Sequence, residues 1–375
     1  MSTLRSLLFD TGQPLSAGGG PGHNRWHPDI PPVVSIMPTD TVALSLWDGL
    51  DGQIGPSSSV ADVESIDLLR THPMTGPIYV EGAEPGDLLV IDVVSIEPST
   101  FGVTCVIPNK PGSHMGGLFG PRFASPYLVK WRLEEGLARS PDIPGVAIPA
   151  DPFLGLVGVA PSHERLAVML RRERELADRG FPVRLPNPEG AIPGTAKDGL
   201  RTRPPRETGG NLDVKELTEG ARLILPVDVP GALLSVGDPH MAQGDGESCG
   251  VAIETSATAT LRVGLRKEHE VRWRSRNPVI QFSRAARVPP SRLEYYSTLG
   301  FPISPEGKNE YLDLNLAATS AIDEMLGYLT AERGYSDYQA YVLVSVAVDL
   351  RISQLLNAPN AIVSAHLPLG IFADA

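Results

Sequence analysis

The sequence predicts a mainly β protein of antiparallel, sandwich- or barrel-like sheets, with an α+β part toward the C-terminus. Three observations predict this fold class. The 375 residues include 38 glycines and 36 prolines, spread along the whole chain, and they leave apolar runs about as short as single strands. Long helical patterns are few, and the longest lie near the C-terminus. Short strands joined by Gly- and Pro-rich turns favour antiparallel sheets over a parallel sheet with intervening helices.

Composition limits the size, location and partners of the protein. A chain of this length can form two or three domains with real cores. No apolar run approaches the ~20 residues of a membrane helix, and the first residues do not resemble a signal peptide. Two cysteines, Cys105 and Cys249, cannot build a disulfide framework, so we predict a cytoplasmic protein with no membrane partner. The net charge of −12 argues against nucleic acid and favours a neutral or cationic small substrate.

We divide the chain into three segments, and the first is an N-terminal β-rich domain at 1–160. Apolar runs bounded by turn residues predict four strands there, at 33–37, 41–46, 88–94 and 153–159. A short helical turn is expected near 61–69. The sequence Glu-Pro-Gly-Asp at 84–87 has Pro-Gly at its centre, which is typical of a type II turn leading into the third strand.

The second segment, 161–265, combines a helix, a loop and central β structure. Ser162 begins a helix that runs to residue 180, and a Pro- and Gly-rich loop follows to residue 210. Strands are expected at 221–227 and at 257–266, where apolar residues alternate with Thr and Arg.

The third segment, 266–375, is predicted to be an α+β domain. Residues 271–282 continue as β structure, and apolar spacing predicts a helix at 315–332. The capping-box sequence SDYQ at 336–339 begins a second helix that runs to 356. Valines alternate within 342–348 as they would in a strand, but the unbroken length and the cap favour a helix.

Residues 231–254, GALLSVGDPHMAQGDGESCGVAIE, hold most of the side chains capable of chemistry. The apolar run at 232–236 predicts a buried strand that ends at Gly237. In an extended chain, residues two apart face the same side. Asp238 and His240 therefore point together from the end of this strand.

A glycine-rich turn follows the strand and carries two more carboxyl groups. Gly244 and Gly246 let the backbone turn sharply, which brings Asp245 and Glu247 back toward the same space. Three carboxyls and one imidazole within ten residues suit a divalent metal or a general acid and base. The alternative is an ordinary Gly-Asp-Gly hairpin turn with solvated carboxylates; the apolar runs on both sides favour the functional interpretation.

Several polar residues outside this stretch are candidates for the same site. Asp92 interrupts an apolar strand, where a buried carboxylate must be paired or bind a metal, unless the strand is an edge strand and Asp92 faces water. Glu81 ends a strand beside a glycine, and His114 lies in a loop rich in polar donors. Asn211 and Asp213 follow two glycines that permit close backbone approach to a ligand.

The 231–254 stretch resembles the signature of the acetamidase/formamidase family. Four other stretches agree in order: HNRWHPD at 23–29, TGPIYVEGAEPGD at 75–87, GGNLD at 209–213, and the segment 340–368. The resemblance covers nearly the whole chain. HNRWHPDIPP is closer to the formamidase branch than to the acetamidase branch, whereas 108–161 departs from the formamidase pattern.

The resemblance implies an acetamidase/formamidase-like fold and an amidase acting on C–N bonds other than peptide bonds in small linear amides. A simple amide carbonyl is a poor electrophile, and a divalent ion can polarise it and acidify a bound water. We expect zinc, with calcium or magnesium as alternatives, and a homo-oligomer. We assign Asp238, His240 and Asp92 as metal ligands. The catalytic candidates are Glu247, which is either the general base or a metal ligand, and Asp245; the substrate-binding candidates are Glu81, His114 and Asn211.

Two alternatives remain open at the level of sequence. Cys249 lies two residues after Glu247, so a thiolate could attack the carbonyl with a carboxyl nearby to move protons. However, Cys249 opens an apolar run, and free cysteines are among the most buried residues. The chain could also be a non-catalytic β-sandwich protein that binds a metal or a carbohydrate.

Overall fold

A computed structural model describes residues 3–108, 116–273, 275–283 and 294–373. The strands before residue 160 are β1 (Leu4–Leu7), β2 (Gly22–His23), β3 (Arg25–Trp26), β4 (Val34–Ile36), β5 (Thr41–Leu46), β6 (Met74–Val80), β7 (Leu88–Pro98), β8 (Phe101–Val106), β9 (Tyr127–Glu134), β10 (Leu137–Ser140), β11 (Ile143–Pro149) and β12 (Phe153–Val159). The short helix α1 (Val60–Glu64) lies between β5 and β6.

Strands and helices alternate more after residue 160. The strands are β13 (Leu200–Arg201), β14 (Gly209–Asn211), β15 (Arg222–Pro226), β16 (Leu234–His240), β17 (Ala257–Arg266), β18 (Val279–Gln281), β19 (Tyr295–Gly300), β20 (Asp349–Gln354) and β21 (Ile362–Pro368). The helices are α2 (His163–Asp178), α3 (Leu314–Ala331) and α4 (Asp337–Ala347). None of the helices in the described ranges is long and apolar enough to cross a membrane.

Two six-stranded sheets pack face to face around the first core. Their strand orders are β1-β5-β17-β7-β15-β18 and β14-β12-β16-β6-β2, with β4 beside β6. Most neighbours are antiparallel; β1 with β5 and β4 with β6 are parallel. The inner faces contribute buried aliphatic residues from both sheets, among them Leu44, Ile91, Leu154, Val236 and Leu261. This arrangement confirms the predicted antiparallel, sandwich-like fold class.

The C-terminal part is α+β, as predicted. Helix α3 packs on the three-stranded sheet β19-β21-β20 and on α4. Together with the four-stranded sheet β11-β10-β9-β8, these elements enclose a second core. The division into three segments stays a prediction: strands of all three, for example β7, β17 and β18, share the first sheet.

The predicted long helix at the C-terminus is wrong in its second half. Helix α4 ends at Ala347, and the chain continues as strand β20 from Asp349. The valines at 342, 344, 346 and 348 are all buried. Their alternation therefore does not distinguish a buried face from an exposed face, as it would in a surface strand. The helix ends where Asp349 meets His366, because pairing with β21 satisfies the backbone from that point on.

The prediction of continuous β structure at 271–282 is also wrong. Among the described residues of this stretch, only Val279–Gln281 forms a strand, at the edge of the first sheet beside β15. The preceding described residues lack apolar alternation, and Trp273 is 73% exposed. Without a buried face, the described part of that stretch gains little from packing against the sheet.

Candidate active site

Strand β16 carries two polar side chains into the protein interior, and it extends further than predicted. The expected end at Gly237 is wrong: the strand continues through Gly237 to His240, with His240 opposite Phe153 on β12. Strand β16 pairs with β6 only as far as Gly237. Pro239 has no N–H to donate, but this costs no hydrogen bond to β6, because the pairing has already ended. Asp238 and His240 share one face, and His240 Nε2 lies 3.4 Å from Asp238 Oδ1.

A cavity of about 240 Å³ opens at this end of β16. Its wall is unusually rich in ionisable groups: Asp213, Asp238, Glu247 and Glu254 line it, together with His72 and Arg203. The imidazole of His240 reaches the same carboxyl groups, with Nε2 3.3 Å from Glu254 Oε2. Carboxyl groups from three separate chain segments therefore meet around one histidine.

Glu247 and Glu254 reach the cavity by different means. Glu247 lies in the glycine-rich turn, where its backbone N–H donates to the carbonyl of Gly244 at 3.1 Å. Glu254 follows the next apolar run, and its backbone pairs with Val103 of β8. Its Oε1 accepts a hydrogen bond from the N–H of Ala252 at 3.2 Å, which leaves Oε2 directed toward His240.

Asn211 and Asp213 come from the end of β14. The two preceding glycines, Gly209 and Gly210, both have positive φ and allow β14 to lie against β12. Asn211 Nδ2 donates to Asp213 Oδ2, and the backbone N–H of Asp213 donates to the carbonyl of Gly155 at 3.2 Å. The predicted proximity of Asn211 to the site is thus what the structure shows.

Four residues that line the cavity have left-handed backbone conformations. Their φ angles are 56° for His72, 49° for Asp213, 53° for Asp238 and 43° for Glu247. Such conformations cost on the order of 1–3 kcal/mol each and gather at functional sites, where surrounding structure enforces them. The stability of the two sheets therefore holds these side chains in positions that the local chain disfavours.

Six buried polar atoms around the cavity have no hydrogen-bond partner within the described parts of the chain. They are His72 Nδ1, Asn211 Oδ1, Asp213 Oδ1, Asp238 Oδ1, His240 Nε2 and Glu254 Oε2. An unmade hydrogen bond costs about 1–3 kcal/mol, and such groups are rare in proteins. Ligand atoms of Asp213, Asp238 and His240 lie within 4.8 Å of one another, as do those of His240, Glu247 and Glu254. Carboxylates and an imidazole so arranged fit a divalent cation.

Gln243 determines which nitrogen of His240 faces the carboxylates. Its Nε2 donates to the backbone carbonyl of Asp213 at 3.0 Å, so its Oε1 must point the other way. That oxygen accepts from His240 Nδ1 at 3.1 Å. A neutral His240 then presents the Nε2 lone pair to the carboxylate oxygens of Asp238 and Glu254. Because these atoms repel one another, either a proton on Nε2 or a shared cation must lie between them.

The pKa values in the cavity reflect this crowding of charge. Burial raises the pKa of Asp213 to about 8 and that of Glu254 to about 7, and it raises the pKa of Glu247 well above its ordinary value. Burial opposes the charge of Asp238 as well, but His240 and His72 outweigh it and hold its pKa well below the usual range. Four carboxyl groups this close cannot all ionise without positive charge among them.

Asp92 and Glu81 lie outside the cavity, which corrects the expectation that they face it. Ile91 and Val93 point into the first core, so Asp92 points to the opposite face of β7. There Arg222, its neighbour across the sheet, donates to Asp92 Oδ1 at 2.6 Å. Glu81 is exposed after the end of β6 and accepts a hydrogen bond from Ser35.

Asp245 also departs from its predicted position. The turn directs it away from Glu247, toward Lys215 and Asp349. Lys215 Nζ lies 3.5 Å from Asp245 Oδ1, so this carboxylate is held in an ion pair outside the cavity. His114 falls outside the described residues.

Glu254 and His72 are the site residues that sequence reasoning missed. Glu254 ends an apolar run, which is the signal that singled out Asp92. His72 lies in a polar stretch without periodicity, and its Nε2 is 3.9 Å from Asp238 Oδ2. Burial lowers the pKa of His72 to about 4, so it is neutral at physiological pH.

Cys249 lies in the second core and does not line the cavity. Its Sγ donates weakly to the carbonyl of Val251 at 3.4 Å, and burial raises the pKa of the thiol to about 12.

Cys249→Ala is therefore expected to keep wild-type turnover and to cost about 1–2 kcal/mol in stability. Kinetics and thermal unfolding of the variant measure both. Full loss of activity with unchanged folding and metal content would instead favour a thiol nucleophile.

Gly155 leaves room for the cluster, and we expect Gly155→Ala to disturb it. A Cβ there would lie 2.8 Å from Asp213 Oδ1 and 3.1 Å from His240 Cε1. Displacing those side chains should weaken cation binding roughly 10–100-fold, as loss of supporting contacts does at other sites. Gly264→Ala in β17 is the matched control, since its nearest contact would be Val90 Cβ at an ordinary 3.7 Å. Equal cation affinity in both variants would contradict the prediction.

Comparison with known proteins gives one consistent result. The model of the acetamidase/formamidase family matches residues 9–374. A formamidase of Methylophilus methylotrophus is 35% identical over 370 residues, covering 93% of this chain and 89% of that protein. An acetamidase of Mycolicibacterium smegmatis is 37% identical over 355 residues, covering 87% and 86%.

Solved structures agree with the sequence relatives. A gamma lactamase from Delftia acidovorans superposes with a TM-score of 0.90 at 33% identity, covering 98% of this chain and 93% of that chain. An acetamidase from Bacillus halodurans gives a TM-score of 0.55 at 27% identity, covering 93% and 95%. The family model spans all the segments that line the cavity.

Proposed function

This chain belongs to the acetamidase/formamidase family and is a hydrolase of that type; on this premise we propose that it cleaves a small amide to a carboxylate and ammonia with a divalent cation in the cavity. The observation that carries the proposal is the set of buried oxygen and nitrogen atoms around His240 that have no hydrogen-bond partner within the described ranges. Without positive charge among them, these atoms destabilise the fold; with it, they form a site.

The donor set fits the cation. Asp213, Asp238, His240 and Glu254 would hold it, so Asp213 and Glu254 replace Asp92 in the ligand set that the sequence predicted. A bound divalent cation, for which zinc is our first choice, polarises an amide carbonyl and makes an attacking water more acidic. Gln243 keeps the Nε2 lone pair of His240 directed into the site.

Glu247 is our candidate for the proton-transfer group. It lines the cavity beside the ligand carboxyls, and its carboxylate lies within reach of His240 and Glu254. As a carboxylate, Glu247 takes a proton from the water that attacks the carbonyl carbon. It then gives the proton to the amide nitrogen, the C–N bond breaks, and ammonia leaves. Asn211 Oδ1, which has no hydrogen-bond partner among the residues that the structure describes, accepts a hydrogen bond from an N–H of the substrate amide and orients it.

The substrate is proposed to be a small amide, formamide- or acetamide-like. The relatives are named for formamide, acetamide and γ-lactam hydrolysis, and the cavity of about 240 Å³ accepts groups of that size.

The sequence-based predictions of a homo-oligomer and of a cytoplasmic location also stay proposals. Light scattering of the purified protein and cell fractionation would measure them.

Metal analysis combined with ammonia release tests the proposal. We expect the purified chain to hold a divalent metal, to release ammonia from formamide or acetamide, and to lose turnover after chelation. Adding the metal back should restore it. Undiminished turnover in metal-free protein would contradict the role of the cation. No ammonia from any amide, by metal-loaded protein, would favour the non-catalytic binding protein instead.

A further inference from the structure

A second cavity adjoins the first and is not used by the proposed chemistry. It measures about 420 Å³, and three of its lining residues, Thr71, Arg203 and Pro205, also line the cavity at β16. We call this second space the arginine annex. Its wall is otherwise mostly apolar, with contributions from Leu68, Leu176, Pro182, Val183 and Pro204. Formamide does not need such a space.

Three arginines line the annex and give it a sign opposite to that of the whole chain. Arg184, Arg201 and Arg203 all face it, although the net charge of the protein is −12. Burial lowers the pKa of each of the three, and the charge of Arg184 lowers the pKa of both others further. Because the three guanidinium groups share one cavity wall, they repel one another, and a bound anion would relieve that repulsion.

The carboxylates near the annex act on arginines other than Arg184. Glu173 lines the wall, but it accepts hydrogen bonds from Arg206 at 2.8 and 2.6 Å. Asp67 acts on Arg201, while Glu247 and Asp213 act on Arg203 from the catalytic side. Arg184 makes no ion pair with a carboxylate in the described part of the chain. Arg184 is consequently the side chain of this wall that is most open to an external anion.

We propose that the arginine annex binds the far end of the substrate, and that this end is a carboxylate. The favoured substrates are then ω-amido acids: an amide in the first cavity, a short methylene chain against the apolar wall, and a carboxylate on Arg184. This inference rests on the proposed amidase function. The planar guanidinium forms paired hydrogen bonds with a carboxylate, and these are strong where water is partly excluded.

The test compares amides of equal chain length with and without a terminal carboxylate. Metal-loaded, full-length enzyme is assayed for ammonia release from the monoamides of succinic, glutaric and adipic acid, and from butanamide, pentanamide and hexanamide. Arg184→Gln removes the proposed anion contact. Arg171→Gln, on the exposed side of α2, removes the same charge away from the annex. Thermal unfolding shows whether each variant folds.

We expect wild type to prefer at least one monoamide over the matching uncharged amide, and Arg184→Gln to lose roughly tenfold in kcat/KM for it through KM. Acetamide turnover should not change, and Arg171→Gln should behave as wild type. No preference for the monoamides, or equal losses with charged and uncharged amides, would overturn the inference.

Failure of the amidase function itself is distinguishable. It would appear as no ammonia from any amide, acetamide included. In that case calorimetric titration with glutarate still decides: binding that Arg184→Gln weakens roughly tenfold supports an anion site in the annex. Absence of glutarate binding to wild type overturns it. An unfolded Arg184→Gln is replaced by Arg184→Lys, which keeps the charge but loses the paired geometry and should show a smaller loss in the same direction.

Discussion

His240→Ala is expected to abolish both metal retention and ammonia release. His240 Nε2 lies 3.4 Å from Asp238 Oδ1 and 3.3 Å from Glu254 Oε2, so it is the group that both carboxylates share. Its removal takes away one ligand and leaves the buried carboxylates without the imidazole that they share. Metal content after dialysis and ammonia release from acetamide measure the two losses.

The control for this variant is His269→Ala, which removes an exposed histidine just after β17. It should retain metal and turnover. Folding of both variants is checked by circular dichroism, because a buried imidazole also contributes packing against Phe153. A folded His240→Ala that keeps its metal and its activity would show that the cation, if bound, lies elsewhere.

Glu247→Gln is expected to bind metal normally and yet lose roughly 10²- to 10⁴-fold in turnover, the usual contribution of a general base. The amide keeps the size and the turn conformation of the side chain but cannot take a proton from water. Single-turnover ammonia release and metal titration measure the two properties separately. Loss of metal in step with activity would instead make Glu247 a ligand.

Asp245→Asn provides a matched control from the same turn. Asp245 is half-exposed and faces Lys215 and Asp349, not the cavity. We expect its turnover to stay near wild type, with at most the small stability loss of a surface ion pair, about 0–1 kcal/mol. A loss comparable to that of Glu247→Gln would restore Asp245 as a catalytic residue, as the sequence first indicated.

The sequence alone determined the fold class and the placement of Asp238 beside His240. Short apolar runs between glycines and prolines are enough to predict antiparallel sheets, because chain length between turns limits the possible connections. The strand period of two is enough to place Asp238 and His240 on one face. The helix caps at Ser162 and Ser336 could also be predicted from local sequence, because the backbone N–H groups that they bind lie only three residues away, at Arg165 and Gln339.

Only the tertiary structure decided which other groups join that pair. Asp92 and Glu254 look alike in sequence, since each carboxyl interrupts or ends an apolar run. Asp92 accepts hydrogen bonds from Arg222, its neighbour on the adjacent strand. Glu254 instead forms an isolated β-bridge with His240, which brings its carboxyl group into the site. The end of α4 was decided in the same way, by the edge of β21. Period and propensity specify the face a side chain occupies, but its partner depends on strand order, which local sequence does not encode.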